Sequence, residues 1–159
     1  MPGRKPGGTM IPSAQDIPDK SFATKKGAKI VGSDTGTGPG PDLMTADTLT
    51  GNTVVNHNNE ELGTIKDIML DVKRGKIAYA VLAVGGFLNL GSRLFAIPWN
   101  ALILDTDREV FILNANKELL EQAPGFDKDS WPQMADLQWA NRIHQYYGTQ
   151  PYWLTAHNG

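Results

Sequence analysis

His57, His144 and His157 are the side chains of this sequence best suited to carry a proton near neutral pH or to ligate a metal. They fall in a turn, on a helix and near the C-terminal end. No His-x-x-x-His pair or nearby carboxylate cluster completes a ligand set, so no metal site is expected. Asp127 and Asp129 lie close enough to share acid–base work, but no nucleophile or base is spaced with them. Capping a helix is role enough for the pair. Ser33, Ser92 and Ser130 lack the Gly-x-Ser-x-Gly elbow that would activate a serine. The glycines of "GSDTGTGPGPD" (32–42) lack the following Gly-Lys-Ser/Thr of a phosphate loop. These patterns predict no catalytic residue and no cofactor.

Other residues suit binding. "GGFLNLG" (85–91) would present Phe87, Leu88 and Leu90 at a loop tip. Such a loop either folds back to plug one end of a barrel or meets a partner or a second copy. The C-terminal aromatics Trp131, Trp139, Tyr146, Tyr147, Tyr152 and Trp153 pose the same choice. Some must pack on the core. Tyr152 and Trp153, beyond Gly148 and Pro151, are the expected outward anchors, because aromatics dominate interface energetics.

The frame that must position these residues is bounded by composition. At 159 residues, 40% hydrophobic and 20% charged, the chain is long enough for one domain with a real core. It has no cysteine, which excludes disulfides and thiolate zinc sites and suits a reducing compartment. The opening "MPGRKPGGTM" has no apolar run of the secretory kind, and a cytoplasmic location is expected. A net charge of −2 favours neither a nucleic-acid binder nor a membrane-surface protein. The charge is uneven, however. Residues 1–30 hold six basic and two acidic side chains, and residues 31–159 hold nine and fifteen. The basic arm is either a solvated tail or a contact for an acidic partner or RNA.

Residues 1–43 are rich in Pro and Gly and read as a flexible tail, with "AKIV" (28–31) as one possible short strand. "TADTLTG" (45–51) is a single helical turn capped by Thr45. Strands follow at 52–56 and 62–72. In the second, Ile65 is out of phase with Ile68 and Leu70 unless a bulge near Lys66–Asp67 realigns it. "KRG" (73–75) closes a hairpin. The least polar stretch, residues 78–99, is broken by Gly85, Gly86 and Gly91, so no run reaches the ~18 residues of a membrane span. It reads as two strands, 76–84 and 93–98, the first apolar on both faces and therefore central. Phe95 and Ile97 should face the interior, and Leu94 the other side. Strands at 100–105 and 110–114, a short helix at 116–124 capped by Asn116, and a longer helix at 129–148 complete the chain. Asp129 or Ser130 is the expected cap of the last helix, and Gly148 its stop. Short loops throughout predict antiparallel pairing and closure into a small barrel.

Three stretches in order, "LTGNTVVNHNNEELGTIKDIMLD" (49–71), "GKIAYAVLAVGGFLNLGSRLFAIPWNAL" (75–102) and "FDKDSWPQMADLQWANRIHQYYG" (126–148), make the body resemble the PRC-barrel family. That family includes the barrel of the photosynthetic reaction-centre H subunit and that of a ribosome maturation factor. The resemblance implies a mainly β fold: a small antiparallel barrel over 44–125, an α-helical C-terminal extension over 126–159, and the tail over 1–43. It also implies a non-catalytic module that docks on other macromolecules. A protein partner or self-association is the expected interaction, with no small-molecule substrate. The partner-binding candidates are Phe87, Leu88, Leu90, Tyr152 and Trp153. An RNA- or ribosome-associated assembly factor using the basic arm is the alternative, disfavoured by the acidic body.

Overall fold

A computed structural model describes residues 28–32, 43–85 and 92–155. In chain order the elements are β1 (Lys29–Val31), α1 (Ala46–Leu49), β2 (Thr53–Val55), β3 (Glu61–Asp71), β4 (Lys76–Gly85) and β5 (Ser92–Pro98). A 3-10 turn (Trp99–Ala101), β6 (Leu102–Asp105), β7 (Val110–Leu113), α2 (Lys117–Glu121), α3 (Leu137–Tyr147) and a second 3-10 turn (Tyr152–Thr155) follow.

The seven strands form one sheet in the order β1-β6-β7-β2-β3-β4-β5. Chain neighbours pair antiparallel, β2 with β3, β3 with β4, β4 with β5 and β6 with β7. The sheet is nonetheless mixed, because β1 pairs with β6 and β2 with β7 in parallel. The expected all-antiparallel, closed barrel is corrected on both counts. A short loop dictates antiparallel pairing only for the two strands it joins. β2 and β7 meet across the whole β3–β6 segment, so no hairpin constrains their sense. Closure also fails: β1 and β5 are the two edges, and no pairing joins them among the described residues. Part of the β5 edge is covered by residue 126 instead. Leu94 and Phe126 exchange both backbone hydrogen bonds, at 2.9 and 2.8 Å. Chain passing this close to an edge strand removes its exposed donors and acceptors. Gly125 permits the approach, since a Cβ there would lie 2.8 Å from the Phe95 ring.

β1 lies within the stretch expected to be a tail, at the sheet edge, with Lys29 and Ile30 exposed. Its parallel ladder sets Lys29, Ile30 and Val31 opposite Ile103, Leu104 and Asp105, and the Thr106 hydroxyl donates to the Val31 carbonyl at 3.1 Å. Residues 1–27 and 33–42 lie outside the described residues.

β4 is covered on both faces, as its double apolar pattern predicts, but it is not the central strand: it lies next to the β5 edge. Ala80 and Leu82 join Val54, Ile65, Phe95, Ile97, Leu102 and Phe111 in the main core. Tyr79 and Val81 join Leu94, Ala96, Phe126 and Ile143 in a second cluster on the other side. The bulge in β3 falls between Ile65 and Asp67, and a second shift follows between Met69 and Leu70. The β3–β4 turn closes with the Gly75 N–H donating to the Asp71 carbonyl at 2.8 Å. Caps form at Thr45 and Asn116, each side chain accepting a backbone N–H from its helix.

The last helix starts later than residue 129. Its cap is Asp136, whose carboxylate accepts the Gln138 N–H at 3.0 Å. Trp131 precedes Pro132, and the proline ring disfavours helical backbone at the residue before it. Trp131 lies with its ring 5.1 Å from Phe126 and donates its indole N–H to the Lys128 carbonyl at 2.9 Å. Trp131 is thereby held against Phe126, the residue paired to the β5 edge. Leu137 is exposed, and the buried face of α3 is Ala140, Ile143 and His144. Gly148 ends α3 in the left-handed conformation at φ 72°, which glycine adopts at no steric cost.

Candidate functional site

The densest polar and aromatic arrangement lies where the C-terminal extension meets the β3–β4 hairpin. α3 packs on β5 and brings Trp139 and His144 over Tyr79 of β4, with ring centroids 5.5 and 5.6 Å away. After Gly148 the chain turns back along the helix. The Asn100 amide donates to the Gln150 carbonyl at 3.2 Å, and the 3-10 turn at Tyr152 settles on the same cluster. Tyr152 meets Tyr79 edge-on at 6.0 Å, and Trp153 meets His144 at 5.7 Å. The Tyr152 hydroxyl donates to Asp71 Oδ2 at 2.7 Å. The same carboxylate accepts the Arg74 backbone N–H at 3.0 Å and Arg74 Nη1 at 2.8 Å. Lys76 Nζ donates to the Tyr152 carbonyl at 3.4 Å. In the same last turn of α3, the Tyr146 hydroxyl donates to the Leu119 carbonyl at 2.6 Å and fixes the helix to α2.

The electrostatics follow from this packing. The Tyr152 hydroxyl, with the Arg74 amide and guanidinium, holds Asp71 down at about 2. Burial, with the Asp71 hydrogen bond, pushes Tyr152 up to about 12. Burial alone pushes His144 down to about 4, so its ring is neutral at pH 7. His144 Nδ1 shares a 2.8 Å hydrogen bond with Thr149 Oγ1. Its Nε2 and the Tyr79 hydroxyl are buried without partners among the described residues. Two neutral rings and an ion pair committed to a tyrosine make a structural latch.

Tyr152→Phe removes one donor from Asp71 and should cost about 1–2 kcal/mol, toward the low end for a bond to a charged acceptor because the site is half-open. The pH dependence gives a second reading. A carboxylate held low contributes stability above its unfolded value of 3.8, lost as pH falls through about 2. Urea titrations of the two proteins should therefore differ at pH 6 and converge near pH 2. Equal stability at pH 6 would show that the hydroxyl contributes nothing.

The expected site residues separate. Phe87, Leu88 and Leu90 lie outside the described residues, but the segment that holds them leaves and re-enters the sheet at the paired Gly85 and Ser92. Tyr152 and Trp153, expected to point outward, are half-buried and turned onto Asp71 and His144. Asp127 and Asp129 are exposed and cap no helix; Ser130 donates its N–H to the Asp127 carbonyl at 3.0 Å. His57 is exposed in its turn. No group of three metal-ligating side chains is assembled among the described residues. The Asp71–Tyr152 contact had no signal in the sequence, because it joins residues far apart in the chain.

The family model of the PRC-barrel domain matches residues 41–120. The chain belongs to the PRC-barrel family. The match takes in α1 through β7 and most of α2, with the Asp71 side of the latch, and stops before α3 and Tyr152. Among solved structures, the PRC-barrel chain is similar to RimM of Pseudomonas aeruginosa, by its description a 16S ribosomal RNA processing protein. Identity is 17%, the TM-score is 0.34, and the alignment covers 48% of each chain. The chain thus spans about half the length of that structure. No curated protein matches it. No helix among the described residues is long and apolar enough to cross a membrane.

Proposed function

We propose that this PRC-barrel is a non-catalytic docking module that binds a protein partner or a second copy of itself at the Gly85–Ser92 end of β4 and β5. The observation that carries this reading is Trp131. It remains 39% exposed although its ring rests on Phe126, which is hydrogen-bonded to β5 at Leu94. An exposed indole on a rigid support is the usual anchor of an interface. Leu94 lies two residues from Ser92, so this anchor stands beside the strand ends that carry Phe87, Leu88 and Leu90. Tyr152 and Trp153 serve the docking surface by holding the extension in place.

The test uses Leu88→Lys and Trp131→Ala. Each should lower affinity for the second copy or the captured partner about tenfold or more, since a buried contact must exclude water. Mass by light scattering and a pull-down from the native host report this, with thermal unfolding as the control. Wild-type mass and partners in both variants would overturn the reading. If salt alone strips the partner, and deletion of residues 1–30 does the same, the alternative of an RNA-associated factor using the basic arm replaces it.

A further inference from the structure

The opposite end of β4 carries a different surface. Val72, in the β3–β4 turn, is 84% exposed, and Leu70 just before it is 57% exposed. The Tyr152–Asp71 hydrogen bond draws the C-terminal 3-10 turn to this hairpin, placing half-buried Trp153 and Leu154, 58% exposed, at the same corner. Lys73 and Arg74 are exposed at the tip. Within 71–76 three basic side chains face one acidic one, while residues 31–159 as a whole hold nine basic and fifteen acidic. The only carboxylate of the tip is already committed to Arg74 and Tyr152.

A single exposed aliphatic side chain is ordinary, but several at one corner beside cations mark an interaction surface. The corner is a projecting hairpin tip with all of residues 72–75 exposed. A protein partner would need a groove shaped to receive it, whereas the interface of a bilayer accepts a convex apolar tip directly. Lysine and arginine beside that tip are attracted by anionic headgroups, and a tryptophan favours the headgroup level. We propose that the Leu70–Arg74 hairpin tip, with Trp153 and Leu154, is a site for peripheral binding to an anionic lipid surface. The whole-chain charge of −2 conceals this because it averages a basic corner into an acidic body. The site lies at the far end of β4 from the docking surface, and Val72 and Lys73 belong to it alone.

Co-sedimentation with vesicles tests it, using phosphatidylcholine alone or with about one third phosphatidylglycerol. The full chain should bind the anionic vesicles and leave the neutral ones, and added salt should weaken binding. Val72→Asp and Lys73→Glu should each reduce the bound fraction about tenfold with unchanged thermal unfolding, because both side chains are exposed. Leu88→Lys should bind vesicles as wild type does. Equal binding to both vesicle types, no binding to either, or unchanged binding by both tip variants would overturn the proposal. Loss of a protein partner in Val72→Asp without any vesicle binding would overturn it as well, and would make the tip a protein contact.

Discussion

Phe95→Ala should destabilise the protein by about 3–5 kcal/mol, the range for an emptied aromatic site. Phe95 is 2% exposed and belongs to the main core with Ile97, Val54, Ile65 and Leu82. Its strand pairs with β4 on one side, opposite Leu82, and its neighbour Leu94 is bonded to Phe126 on the other. Backbone held on both edges moves little, so the cavity cannot collapse. The Arg93 guanidinium lies 5.8 Å from the ring centroid, and Gly125 backbone passes against it. Losing the ring therefore also loosens the crossing that keeps Phe126 and Trp131 at the edge. Urea unfolding measures the first effect and the docking assays the second. A loss below about 1 kcal/mol would show that the site refills, and that the β5 seam does not depend on this side chain.

The features read correctly in advance share one property: their causes are local. Ile65 falls out of phase with Ile68, and only an inserted residue restores it, so the β3 bulge could be placed to within a residue. Thr45, Asn116 and Gly148 cap or end helices through groups within a few positions of themselves. The inward direction of Phe95 and Ile97 follows from strict alternation in a strand without glycine. What was missed depends on distant partners. The parallel β2–β7 pairing joins Val54 to Phe111, and no hairpin chemistry encodes it. The start of α3 was misplaced because Asp129, Ser130 and Pro132 mimic a helix entry, while the docking of Trp131 on Phe126 decides otherwise. Tyr152 reads as an outward anchor in sequence because Asp71, which accepts its hydroxyl, sits 81 residues away. In the candidate site, therefore, residue types were legible and their partners were not.

Acid should weaken the C-terminal latch through His144, by about 2–3 kcal/mol between pH 6.5 and pH 4. His144 is 1% exposed, among the rings of Tyr79, Tyr152 and Trp153. Burial pushes its pKa from 6.5 down to about 4. Below pH 6.5 the unfolded chain takes a proton at this ring and the folded chain does not. The unfolded state then binds more protons, so stability falls with pH until about 4, where both states are protonated and this contribution levels off. A shift of this size sets an upper limit of roughly 3.4 kcal/mol, and water reaching the half-open corner lowers it. Asp71, held at about 2, adds its own loss only at lower pH, which separates the two groups. His144→Gln removes the titration while keeping a polar side chain near Thr149. The variant should be less stable at pH 7, because the ring packing is lost, yet change less than wild type between pH 6.5 and 4. Urea unfolding at several pH values gives the two curves, and carboxylates common to both proteins cancel in their difference. Parallel curves would show that His144 takes its proton in the folded state as easily as in the unfolded one. Amide exchange should place the wild-type loss in α3 and the Tyr152 turn first, because the main core around Phe95, Ile97 and Phe111 includes no part of this ring cluster.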